Sequence, residues 1–90
     1  MHRNHGFTKD VWLYLLHSGG RSTTSEIVIA CADEDAERTP ERLAYLLCRM
    51  VENGNIVRYE KTRTNPHVTY GVTPQCKVPN QVYLHELENA

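Results

Sequence analysis

Arg42, Tyr45 and Arg49 are the residues of this chain whose types and spacing point most directly to chemistry. Intervals of three and four place them on one face of a helix. A guanidinium is a planar fork of donors that matches the O6/N7 edge of guanine, and a tyrosine can meet a phosphate or a thymine methyl. Arg58, Lys61 and Arg63 follow against a single carboxylate, Glu60, a local positive excess suited to phosphate contact. Upstream, Arg21 and Ser25 stand where a helix start could hold phosphates, and Arg38 precedes the Arg42 helix. The plainer reading is a solvated helix face on which Glu41 pairs with Arg42 or Tyr45 and Arg49 with Glu52, beside a hairpin edge protected by charge.

Other chemistries find less support. His2 and His5 have a His-x2-His spacing, and eight residues separate Cys76 from His85, but no pair matches the spacing of structural zinc modules. The expectation is no metal and no cofactor. Catalysis needs a nucleophile with a base in reach, and no Gly-x-Ser-x-Gly, phosphate loop or His-Glu-x2-His motif occurs. The chain therefore reads as no enzyme.

Ninety residues, 40% of them apolar, suffice for one domain with a modest core. No apolar run approaches the ~20 residues that span a bilayer. Cys31, Cys48 and Cys76 are odd in number and far apart, which fits a reducing compartment rather than a disulfide framework. With no apolar leader after Met1, a cytoplasmic location and no membrane partner are expected. The net charge of −1 is not the basic balance of an ordinary nucleic-acid binder. The acidic stretch Asp33, Glu34, Asp35, Glu37, with Glu41 after it, would repel phosphates if it faced them.

These side chains must be positioned by a few elements. Residues 1–7 read as a polar arm, 8–74 as the core and 75–90 as a tail. Thr8 reads as the cap of a first helix over about 8–17, with Phe7 and Trp12 as a hydrophobic staple. Leu13, Tyr14 and Leu16 spread apolar surface around that helix. With Trp12 they predict a dimer interface. Thr23 and Glu26 form a capping box that opens a second helix, about 24–32. Thr39-Pro40-Glu41 opens a third, about 40–53, whose apolar stripe is Leu43, Leu46, Leu47, Met50 and Val51. Asn53-Gly54 ends it. Two β-rich runs around Asn65-Pro66 predict a hairpin over about 56–73. Val82, Tyr83, Leu84 and Leu87 supply an apolar tail, either a helical turn or a strand.

This order, with Leu43 to Val57 running from helix 3 through a glycine into an apolar strand, resembles the winged helix-turn-helix family of DNA-binding regulators over about residues 8–74. The segment Tyr70 to Pro79 is similar to the end of small phage- and prophage-encoded members. The resemblance implies an α+β fold of three helices with a C-terminal two-stranded wing. It also implies double-stranded DNA as partner, helix 3 in the major groove and the wing on backbone or minor groove. The expected function is transcription regulation as a homodimer, with a phage or mobile-element origin. The departure is the turn between helices 2 and 3: Ala32 to Arg38 is roughly seven residues, where three or four are usual. That acidic insert, the neutral charge and helix 1 support an alternative, a module that docks on another protein.

Overall fold

Apolar spacing decides where the helices lie. The computed structural model describes residues 3–33, 38–80 and 82. It contains α1 (Arg3–Ser18), β1 (Ser22–Thr23), α2 (Thr24–Cys31), α3 (Pro40–Glu52), β2 (Val57–Tyr59) and β3 (Thr69–Gly71). The protein is α+β: three helices with a three-stranded antiparallel sheet in the order β1-β3-β2.

The first helix is longer than its capping signal predicts. It runs back to Arg3, so the residues read as an arm are helical from that point and Thr8 is a buried interior residue rather than a cap. The reason is the ridge Phe7, Val11 and Leu15, spaced by four. Extending the helix keeps Phe7 on that ridge, where it is 3% exposed, and burying a side chain of this size is worth roughly 1.5–3 kcal/mol. A staple from Phe7 to Trp12 is therefore not the arrangement: both sit in the core as parts of one helix.

The other helices keep their predicted limits within a residue. Thr23 caps α2 through its hydroxyl, which accepts the Glu26 N–H at 3.2 Å, while Glu26 Oε1 accepts the Thr23 N–H at 2.7 Å. Thr39 caps α3 by accepting the Arg42 N–H, with Pro40 at the first position. Gly54 closes α3 at φ 81°: its N–H donates to Val51 O at 3.0 Å and the Asn55 N–H to Met50 O at 2.9 Å. That pair of bonds is a Schellman closure, which needs the left-handed residue glycine supplies.

The sheet has three strands, not two. Ser22–Thr23 pairs with β3, Ser22 opposite Tyr70 and Thr23 opposite Thr69. Two polar residues carry no alternation that would mark a strand; the pairing comes from tertiary position. After β3 the chain turns at Thr73–Cys76, and the Lys77 N–H donates to Gly54 O at 2.8 Å while Asn55 Nδ2 donates to Lys77 O. This strap seals the end of α3 and delivers Val82 to the core. Tyr83, Leu84 and Leu87 lie outside the described residues.

Candidate nucleic-acid interface

Helix α3 separates its two faces cleanly. Leu43, Leu47 and Met50 are at most 1% exposed and Leu46 and Val51 are half-buried, as the apolar stripe predicts. The opposite face carries Glu41, Arg42, Tyr45, Cys48, Arg49 and Glu52, all exposed, with Tyr45 at 66%. Arg42, Tyr45 and Arg49 line a groove of about 530 Å³ together with Phe7, Glu41 and Leu46. Three predicted contact residues thus share one concave, solvent-facing surface with two cations and an aromatic ring.

The β2–β3 hairpin brings Arg58, Lys61 and Arg63 to exposed positions. Its strands pair Val57 with Gly71, Arg58 with Tyr70 and Tyr59 with Thr69. The tip is closed by its own polar groups. The Thr62 N–H donates to Asn65 O at 2.7 Å, the Asn65 N–H to Thr62 Oγ1 at 3.1 Å, and the His67 N–H to Asn65 Oδ1 at 3.3 Å. Arg63 lies within that ordered turn. Arg58 forms an ion pair with Glu60, so part of the hairpin's positive excess is already matched.

Arg38 is not grouped with these residues. Its Nη1 donates to Asp10 Oδ2 at 2.5 Å, and its guanidinium lies over the Phe7 ring, 5.3 Å from the centroid. Gly6 makes room for it: a Cβ there would stand 2.9 Å from Arg38 Nη2. Arg38 is a clasp between α1 and the start of α3, its guanidinium engaged by Asp10 and Phe7. The long turn is closed at its base, where Asp33 and Arg38 exchange two backbone hydrogen bonds of 2.7 Å. Glu34, Asp35 and Glu37 lie outside the described residues.

Trp12 likewise leaves the predicted dimer surface. It is 3% exposed and donates its indole N–H to Asn55 O at 3.0 Å. Leu13, Tyr14 and Leu16 are half-buried at the margin of the core. Among the described residues, the most exposed large apolar side chain is Ile29 on α2, at 84%.

Arg21 and Ser25 are exposed before and within α2. The Arg21 guanidinium stacks on Tyr59, 3.7 Å from the ring centroid. Sequence reasoning missed Tyr59, Asp10 and Asn55. Gly71 inside a β-run signals a close approach, which is to Gly20 O; nothing in the sequence links Tyr59 to Arg21 or Asp10 to Arg38.

Burial pushes the Cys31 thiol up to about 11, with Asp10 adding to the rise and Arg38 opposing it. Cys48 is exposed and Cys76 half-buried, its sulfur accepting the Thr73 N–H. Among the described residues no group of three or more His, Cys, Asp or Glu is placed to hold a metal, and no helix is long and apolar enough to cross a membrane. No family model, no curated protein and no solved structure matches this chain.

Proposed function

We propose that this chain is a winged helix-turn-helix domain that binds double-stranded DNA and regulates transcription. In this reading α3 enters the major groove, where Arg42 and Arg49 meet guanine edges and Tyr45 a phosphate or thymine methyl. The β2–β3 hairpin is the wing, with Lys61 and Arg63 on the backbone and Arg58 exchanging Glu60 for a phosphate. Arg21 and Ser25 hold phosphates near the start of α2. The observation that carries the reading is the shared exposure of Arg42, Tyr45 and Arg49 on one face of a helix whose other face is buried.

A homodimer is proposed with it, through Leu13, Tyr14 and Leu16, along with a cytoplasmic role in a phage or mobile element. Light scattering on the purified chain tests the dimer; a monomer at assay concentrations removes it. Anisotropy of a labelled mixed-sequence duplex tests the binding. Affinity falls linearly with log salt if phosphates are neutralised. No binding at about 50 mM salt, where nonspecific contact is strongest, overturns the proposal.

A second reading, a module that docks on another protein through helix 1 and the acidic 33–37 segment, has its own support. Arg38 is committed to Asp10 and Arg58 is paired with Glu60 in a chain of net charge −1, which leaves fewer cations for phosphate. Binding-site selection from random duplexes separates the two: an enriched palindrome supports the dimeric reader, and no enrichment supports the docking module.

A further inference from the structure

We infer that Tyr59 is the positioning residue for a phosphate contact made by Arg21, through a cation–π stack beside the sheet. This rests on the DNA-binding reading above. The stack is the Tyr59 ring and the Arg21 guanidinium, with Gly71 next to the ring. Gly71 faces Val57 in the register, and Tyr59, two residues on, lies diagonally across it. A Cβ at Gly71 would stand 3.2 Å from Gly20 O, a tight approach, and 3.4 Å from Tyr59 Cε2, an ordinary contact, so Gly71 and the ring lie side by side. The Arg21 guanidinium lies over the ring, 3.7 Å from its centroid.

The chemistry follows from the geometry. Stacking fixes the plane of a side chain that is otherwise rich in rotamers, while leaving its N–H edge free to form a bidentate bond to an oxyanion. Among the described residues no carboxylate pairs with Arg21, unlike Arg38 and Arg58. Arg21 directly precedes β1, and β1 leads into α2 with Thr24 and Ser25 exposed. The ligand class is a backbone phosphodiester of duplex DNA. Tyr59 itself touches no DNA in this account; it holds the cation.

The test is anisotropy of a labelled mixed-sequence duplex between about 50 and 200 mM salt, with the intact chain, Arg21→Ala, Tyr59→Leu and Tyr59→Phe. Losing one phosphate contact lowers the log–log salt slope by about 0.9 in Arg21→Ala. Tyr59→Leu keeps the slope and weakens binding about two- to fivefold, the range of an exposed cation–π contact. Tyr59→Phe, which keeps the stacking face, binds like the parent. A parent-like slope in Arg21→Ala, or a Tyr59→Phe variant as weak as Tyr59→Leu, overturns the inference while DNA binding by the parent stands. A parent that does not bind removes both. Circular dichroism of Tyr59→Leu identifies a folding defect; Arg21→Ala and Tyr59→Phe then decide the matter.

Discussion

Arg38 stands just before α3 and Arg49 in its last turn, and the two are used in opposite ways. Around Arg38 the chain offers a carboxylate, an aromatic face and a glycine that clears space, and the guanidinium is drawn onto α1. Around Arg49 the neighbours are Tyr45, Leu46 and open solvent, and the side chain faces a groove. An arginine's role here is set by what the fold places beside it, not by its distance along the sequence from other cations. One region is sealed and bears on stability. The other is open and, in the proposed reading, bears on recognition.

The sharpest way to break that division is Trp12→Ala. A tryptophan at 3% exposure, anchored to Asn55 O, belongs to the sealed region. Its truncation should cost ~3–5 kcal/mol in urea unfolding. A loss below ~1 kcal/mol, together with a change from dimer to monomer, would return Trp12 to an interface.

The thiols sharpen it next. Cys31 has an ordinary value of 9.0 raised to about 11 in the fold, so the folded state holds its proton where the unfolded state has released it. Its contribution is full below about pH 9 and lost as pH climbs toward 11, by roughly 3 kcal/mol at most. Stability of the parent should fall more steeply over that window than stability of Cys31→Ala. Equal slopes would place Cys31 in contact with water. Cys48, on the open face, should react with a thiol reagent well before Cys31.

Arg49→Ala addresses the open region. It should leave unfolding within ~0.5 kcal/mol of the parent and cost ~1–3 kcal/mol on a selected site, relaxing specificity there. Parent-like affinity on that site would take Arg49 out of the reading face.

How much of this was legible follows the range of the interactions involved. The capping box at Thr23 and Glu26, the Thr39-Pro40 start and the Gly54 stop are local, and the structure has them where the residues put them. The α3 face separation is also local, since period alone divides Leu43, Leu47 and Met50 from Tyr45 and Arg49. What the sequence conceals is long-range. Thr8 has the right type for a cap, yet the ridge from Phe7 to Leu15 overrides it once a core exists to bury Phe7. Ser22–Thr23 becomes a strand only because Tyr70 and Thr69 lie alongside. Arg38 reads as one more cation before α3 until Asp10, on another helix, is brought within hydrogen-bonding distance.

The smallest effect is also the most direct probe of the clasp. Arg38→Ala should destabilise by about 1 kcal/mol or less, because Asp10 is half-exposed and such pairs are weakened by solvent. Gly6→Ala should gain less than the ~0.5–1 kcal/mol that replacing a helical glycine ordinarily gives, since the new methyl meets Arg38 Nη2. The guanidinium is the end of a flexible side chain and can move, but moving it strains the bond to Asp10. With Arg38 already truncated, Gly6→Ala has nothing to displace and should recover the full helix-propensity gain. The coupling in this double-mutant cycle is then a few tenths of a kcal/mol or more, with the double variant more stable than the two single effects predict. Additive effects would mean that Arg38 does not rest against Gly6, and the contrast between the sealed and open arginines would lose its structural basis.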